Sequence, residues 1–163
     1  MAYDIFLKIK GITGDSKDTK HKDWIEVQSY RHDIHDPYGG AINAGDESYT
    51  GHGASHFDFE IVKKLDAASP MLFRYCHHAK LIQQVELEVC RAMGDKTPFM
   101  KYTFRKAVIT QVLAEAEGDD INTLPLEKIK LRYAQIELEY TQTTPEGGAK
   151  KGASIQVSIN LRQ

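Results

Sequence analysis

Residues 99–113 read FMKYTFRKAVITQVL, and residues 128–142 read KIKLRYAQIELEYTQ. Both stretches alternate apolar and polar side chains, the period of a strand with one packed face and one wet face. Both also change phase midway. In the first, Met100, Tyr102 and Phe104 are joined by Val108 and Val112, while Ile109 and Leu113 fall in the opposite phase. In the second, Ile129, Leu131 and Tyr133 share one phase, and Ala134, Ile136, Leu138 and Tyr140 share the other. A regular strand does not exchange its faces, so each stretch needs a bulge or a bend. Two long strands that bend and serve two sheets suit a closed, strongly coiled barrel.

Working outward, the same period recurs. Residues 3–10 alternate, with Tyr3, Ile5, Leu7 and Ile9 opposite Asp4, Phe6, Lys8 and Lys10. Residues 24–30, WIEVQSY, are β-branched and aromatic, and residues 57–62 place Phe57, Phe59 and Ile61 on one face. Residues 81–91 set Val85, Leu87 and Val89 against Glu86 and Glu88. Residues 154–162 set Ile155, Val157, Ile159 and Leu161 against polar neighbours. One stretch breaks the rhythm. Ser69 followed by Pro70 reads as a helix N-cap with proline at the first helical position. Leu72, Phe73, Cys76 and Ala79 then recur at helical spacing to about residue 79. The expected fold is mainly β: a small antiparallel β-barrel with one short α-helix and a long extended loop, as one domain over 1–163. A βαβ rhythm would need several helices.

Composition narrows the function. The 163 residues are 41% hydrophobic with a formal charge of −2, so the chain can close its own core and shows no clustered basic face for nucleic acid. Its apolar runs are too short for membrane insertion. The opening MAYDIFLKIK has no basic and long apolar regions of a cleavable signal peptide. Cys76 and Cys90 lack metal-ligand spacing and read as small buried hydrophobes in a reducing cytoplasm. No phosphate loop, dinucleotide fingerprint, nucleophile elbow or zinc-protease motif is present, so no catalytic site is expected. Glu86 with Glu88, and Glu137 with Glu139, share strand faces and read as solvated acids.

The segment 32–56, HDIHDPYGGAINAGDESYTGHGASH, has no strand or helix period. His32, His35, His52 and His56 suggest a metal, but a glycine-rich loop without ligand spacing is a poor rigid site, so no resident metal or cofactor is expected. The segment reads instead as a docking arm. Its anchors are Ile34, Tyr38, Ile42 and Tyr49, together with His52 and His56, and its glycines let it follow a neighbour's surface.

Three stretches resemble the Hcp family, the tube proteins of bacterial type VI secretion. The first, DIFLKIKGITGDSKDTKHKDWIEVQSY, supplies a strand at Ile5–Ile9, then Gly14-Asp15-Ser16, His21, and a strand at Ile25–Tyr30. The second, GHGASHFDFEIVKKLDAASPML, is similar to the family's loop end, third strand and helix start; the third, CRAMGDKTPFMKYTFRKAVIT, to its central hairpin. Tyr30 stands where a Trp is common, and SIQVSINLRQ lacks the Trp often seen in the last strand. The resemblance implies an assembly protein: hexameric rings that stack into an inner tube, with effectors in the lumen. A contractile sheath surrounds that tube and a VgrG-type spike tips it. It implies a protein that is cytoplasmic before firing and secreted afterwards, with 32–56 as its ring-stacking arm. Two rivals are a ligand-binding barrel with a lid at 32–56 and a metal enzyme using the loop histidines.

Overall fold

The computed structural model describes residues 2–36, 53–92, 94–118, 123–144 and 148–161. Among them the chain order is β1 (Tyr3–Ile9), β2 (Ile25–Val27), β3 (Ser29–Arg31), β4 (Ile34–His35), β5 (Ser55–His56), β6 (Phe59–Lys64), α1 (Ser69–His77), β7 (Ile82–Arg91), β8 (Pro98–Glu115), β9 (Leu126–Thr143) and β10 (Ala149–Asn160). The main sheet is antiparallel and runs β2-β1-β7-β8-β9-β6-β3, with β10 paired to β9 off this path. β2 and β3 are consecutive in the chain, separated by Gln28, whose N–H donates to the Val62 carbonyl at 2.8 Å. One segment therefore pairs with β1 and then with β6, which brings the sheet round to a nearly closed barrel. The strand expected at 24–30 is thus split, because it leaves one neighbour for another at Gln28.

The phase changes of the two long strands lie opposite each other. Phe104 pairs with Ile136 and Ala107 with Tyr133, and all four are buried. The exchange of faces falls between those pairs, at Lys106, whose φ is 51°. A second irregularity, between Ile109 and Gln111, returns β8 to its first phase, and Val112 packs against the core. Inside, Leu7, Ile25, Phe59, Leu87, Phe104 and Leu131 are essentially inaccessible and belong to one apolar cluster. Among the described residues the barrel interior is filled by these side chains, which does not favour a ligand-binding barrel.

Several details depart from expectation. The third strand begins at Phe59, not residue 57, because its ladder to β9 starts at Phe59–Leu131. Phe57 stays 44% exposed and stacks on His35. In α1 the packed stripe is Leu72 and Tyr75, with Cys76 partly buried; Phe73 lies one residue off that stripe and is 66% exposed. The helix ends at His77, and Ala79 is already in the left-handed region at φ 46°.

The helix start also differs. The N-cap position is Ala68, without a side-chain cap, and Ser69 is the first helical residue with Pro70 beside it in the first turn. Ser69 Oγ accepts the Asp66 N–H at 3.0 Å and donates to Glu127 at 2.6 Å. Asp66 in turn accepts the Ala68 N–H at 2.9 Å. The serine is thus the inward half of a reciprocal arrangement that begins at Asp66. Lys63, on the core-facing phase of β6 and fully buried, completes it through Glu127 at 2.7 Å and Asp66 at 2.8 Å. A buried ammonium requires such pairing.

Candidate functional site: the assembly surfaces

Three regions stand out beyond the barrel core. The first is the loop 10–24, which lies across the outer face of β1 and β7. Each residue of its Gly-Asp-Ser motif has a task. A Cβ on Gly14 would collide with the Trp24 carbonyl, so only glycine lets the two backbone stretches meet. Asp15 accepts the Ala67 N–H at 2.9 Å and ties the loop to the approach to α1. Ser16 accepts the Asp18 N–H at 3.2 Å. The loop's His21 is buried, stacked on Phe6 at 4.1 Å and edge-on to Trp24 at 4.9 Å. Its Nδ1 faces Asp18 and its Nε2 faces Glu88, each at 2.8 Å. Burial raises the Asp18 carboxyl, but hydrogen bonds from His21, Lys96 and two backbone N–H groups outweigh it and hold the group at about 2. Phe6, expected on a wet face, is buried because this loop covers it. Glu88 is likewise not a solvated acid but a partner of His21, with Lys101 on its other oxygen at 3.2 Å.

The second region is the base of the arm. β4 and β5 form a two-stranded stem, pairing Ile34 with His56 and His35 with Ser55. Tyr133, at the phase change of β9, places its hydroxyl 3.1 Å from His32 Nε2 and 3.3 Å from His56 Nδ1. Burial and nearby Asp58 push the Tyr133 hydroxyl up to about 12, so it keeps its proton and bridges the two imidazoles. Burial lowers both histidines, and for His32 the neighbouring His56 adds to the effect. Of the expected arm anchors, Ile34 is exposed on the stem and His56 is tied to Tyr133. Tyr38, Ile42, Tyr49 and His52 lie outside the described residues. His32 and His56 meet across a tyrosine, a linkage that sequence spacing does not reveal.

The third region is a sheet extension. The C-terminal half of β9 leaves β6 and pairs with β10, placing Ile155 opposite Tyr140, Val157 opposite Leu138 and Ile159 opposite Ile136. β8 continues the row with Met100 beside Tyr140 and Tyr102 beside Leu138. Paired residues share a face, so this is the barrel's inner face carried past the barrel. Ile136 and Tyr102 are buried at its root, whereas Tyr140, Val157 and Ile155 are 48%, 51% and 68% exposed. The opposite face is polar: Ser154 donates to Glu139, Gln156 donates to Glu137, and Lys101 contacts Glu86. These contacts give Glu86, Glu137 and Glu139 polar or charged partners along the strand face. Among the described residues, no helix is long and apolar enough to cross a membrane.

The described residues thus form a nearly closed antiparallel barrel with one short helix, a two-stranded stem and an apolar sheet extension. Residues 6–140 match the family described as "Type VI secretion system effector, Hcp". Protein hcp1 of Pseudomonas aeruginosa is 27% identical over 173 residues, covering 100% of this chain and 98% of that protein. The crystal structure of Hcp1 from Salmonella typhimurium is similar at 31% identity and a TM-score of 0.76, covering 98% of this chain and 95% of that one. A solved type six secretion system protein superposes with a TM-score of 0.87 at 25% identity, over 98% of this chain and 96% of its own. The chain belongs to the Hcp family, the tube proteins of type VI secretion. Members of this family assemble with themselves and with other components of the secretion system, through which they are secreted.

Proposed function

We propose that six copies of this chain close into a ring, that rings stack through the arm at 32–56, and that the stack forms the inner tube. On this reading the tube carries effectors in its lumen, meets a VgrG-type spike at its tip and is driven by a contractile sheath. The chain is cytoplasmic before firing and outside the cell afterwards. It has no catalytic role. The observation that carries the reading is the exposed row Tyr140, Val157 and Ile155 on a face continuous with the core. Monomers rarely leave such a row uncovered. A ring supplies the cover through a head-to-tail contact that closes.

Native mass spectrometry of the purified chain is the direct test, with six subunits as the expected mass. A clean monomer at micromolar concentration in near-physiological salt overturns the ring. Shortening 38–50 to a brief Gly-Ser link tests the arm separately. The barrel should stay folded and the ring closed, because the core strands are untouched, while tube growth and secretion fail. Full-length tubes and wild-type export from the shortened protein would remove the arm from assembly.

A further inference from the structure

The loop 10–24 brings together three potential metal ligands from separate parts of the chain. His21 comes from the loop itself; Glu88 and Cys90 sit two residues apart on β7, on the face the loop covers. His21 Nε2, one Glu88 carboxylate oxygen and Cys90 Sγ all lie within 4.8 Å of one another. The separation from His21 Nε2 is 2.8 Å to Glu88 Oε2 and 3.8 Å to Cys90 Sγ. A tetrahedral zinc with bonds of about 2.0–2.3 Å holds its ligand atoms roughly 3.3–3.6 Å apart. To reach that spacing His21 Nε2 and Glu88 Oε2 must part by about half an ångström, and His21 Nε2 and Cys90 Sγ must close by less.

The surroundings match what a histidine ligand requires. A metal-bound imidazole gives its other ring N–H to a carboxylate that orients it. Asp18 stands at that place, 2.8 Å from His21 Nδ1. Asp18 is itself held by the N–H groups of Lys20 and His21, each at 3.0 Å, and by Lys96 at 3.1 Å. Phe6 and Trp24 hold the ring plane. Lys101 occupies Glu88 Oε1, which leaves Oε2 as a single-oxygen donor.

We infer that His21, Glu88 and Cys90 form a binding site for a divalent transition cation of the zinc type, with Asp18 orienting the His21 ring. The expectation of no resident metal rested on the histidines of 32–56, which take no part here, and on the sequence spacing of Cys76 and Cys90, which does not show that Cys90 meets His21 and Glu88 in space. The charge balance suits the ion: a thiolate and a carboxylate neutralise a dication, and the imidazole is a neutral donor. Without metal, burial, together with Glu88, Asp18 and Asp4, pushes the Cys90 thiol up to about 12. The same anions attract a cation. Binding must therefore displace the thiol proton and replace the hydrogen bond between His21 and Glu88. The charged groups facing the site are Asp4 on β1, Asp18 and Lys20 on the loop, Glu88 on β7, Lys96 in the following turn and Lys101 on β8. The bound ion would pin the loop to β7 from within one subunit, independently of ring assembly.

Cobalt(II) titration of the chelator-stripped full chain under a non-thiol reductant tests this. At about pH 8, one cobalt per chain should bind, with a thiolate-to-metal charge-transfer band and the intense visible bands of a tetrahedral site, both abolished by added zinc. Apparent affinity should fall at least about tenfold per pH unit on acidification, because a thiol proton competes. Cys76→Ser should keep the bands, Cys90→Ser should lose the charge-transfer band, and Glu88→Gln should weaken binding at least about tenfold. No stoichiometric uptake, in which case the cluster is a hydrogen-bonded node alone, overturns the proposal. So does uptake that persists unchanged in Glu88→Gln, or that is lost in His56→Ala. If Cys90→Ser does not fold, the contrast between Cys76→Ser and Glu88→Gln decides alone.

Discussion

The loop 10–24 and the arm segment 32–56 look alike in sequence: both are polar, carry glycines and combine histidines with acids. Their described residues are held very differently. The loop lies flat on a strand face, so every polar group it buries meets a partner: Asp15 on Ala67, Ser16 on Asp18, His21 between two carboxylates. It also brings Phe6 and Cys90 under cover. The described residues of 32–56 meet the barrel through a two-rung stem and through His32 and His56, which share the Tyr133 hydroxyl and, for His32, lie against Phe59 and Tyr102. Composition does not decide which polar loop becomes part of the fold. That depends on whether the loop has a strand face to lie on, because only then are its hydrogen bonds shielded from water.

The sharpest way to break this contrast is to remove the histidine from each region. His21→Ala leaves Asp18 and Glu88 short of a partner and opens space beside Phe6; a loss of about 3 kcal/mol in urea unfolding is expected. His56→Ala removes one hydrogen bond from a stem that the core does not need, and about 1 kcal/mol or less is expected. Equal losses would mean that the two regions are held alike.

Ser69→Ala should come second in size. It removes hydrogen bonds to Glu127, Lys63 and Asp66, and the expected loss is about 2 kcal/mol, above that of a simple cap. A thermal melt identical to wild type would show that water replaces the hydroxyl.

Acid titration separates the two regions by pH. The folded state lowers His32 and His56 below the ordinary 6.5, so their contribution is present above that value and is lost as pH falls through their depressed values. Asp18 is lowered from 3.8 to about 2, so its contribution is complete above 3.8 and disappears as pH falls towards 2. Hydrogen exchange should show the stem amides of Ile34 and Ser55 loosening first on acidification, with the amides around His21 protected to lower pH. The reverse order would contradict the assignment of the two regions. The smallest effect is expected at Phe73: Phe73→Ser should change stability by less than about 0.5 kcal/mol, since the ring is exposed. A larger loss, measured on assembled protein only, would place α1 in a subunit contact.

Much of the fold was legible because strand period survives in the sequence. The phase changes in 99–113 and 128–142 were visible there, but their common origin at Lys106 was not: a non-glycine residue at φ 51° leaves no local mark. Phe57 and Phe73 were misplaced because alternation and helical spacing say which residues can share a face, not where a ladder starts or which stripe turns inward. Ser69 carried a true signal of helix initiation, yet its partner Glu127 is 58 positions away.

By itself, then, the sequence determined the mainly β architecture, the position of the single short helix and, through ordered motifs along most of its length, the resemblance to Hcp tube proteins. Those features are local or periodic, and a chain writes them in consecutive residues. Tertiary structure decided what distant segments do to one another. It set Lys63 in the core beside Glu127, Tyr133 between His32 and His56, and His21 against Glu88 and Cys90. A buried charge or imidazole is tolerable only where a partner reaches it. That partner is set by strand register and loop closure, which bring together residues that share no spacing in the sequence.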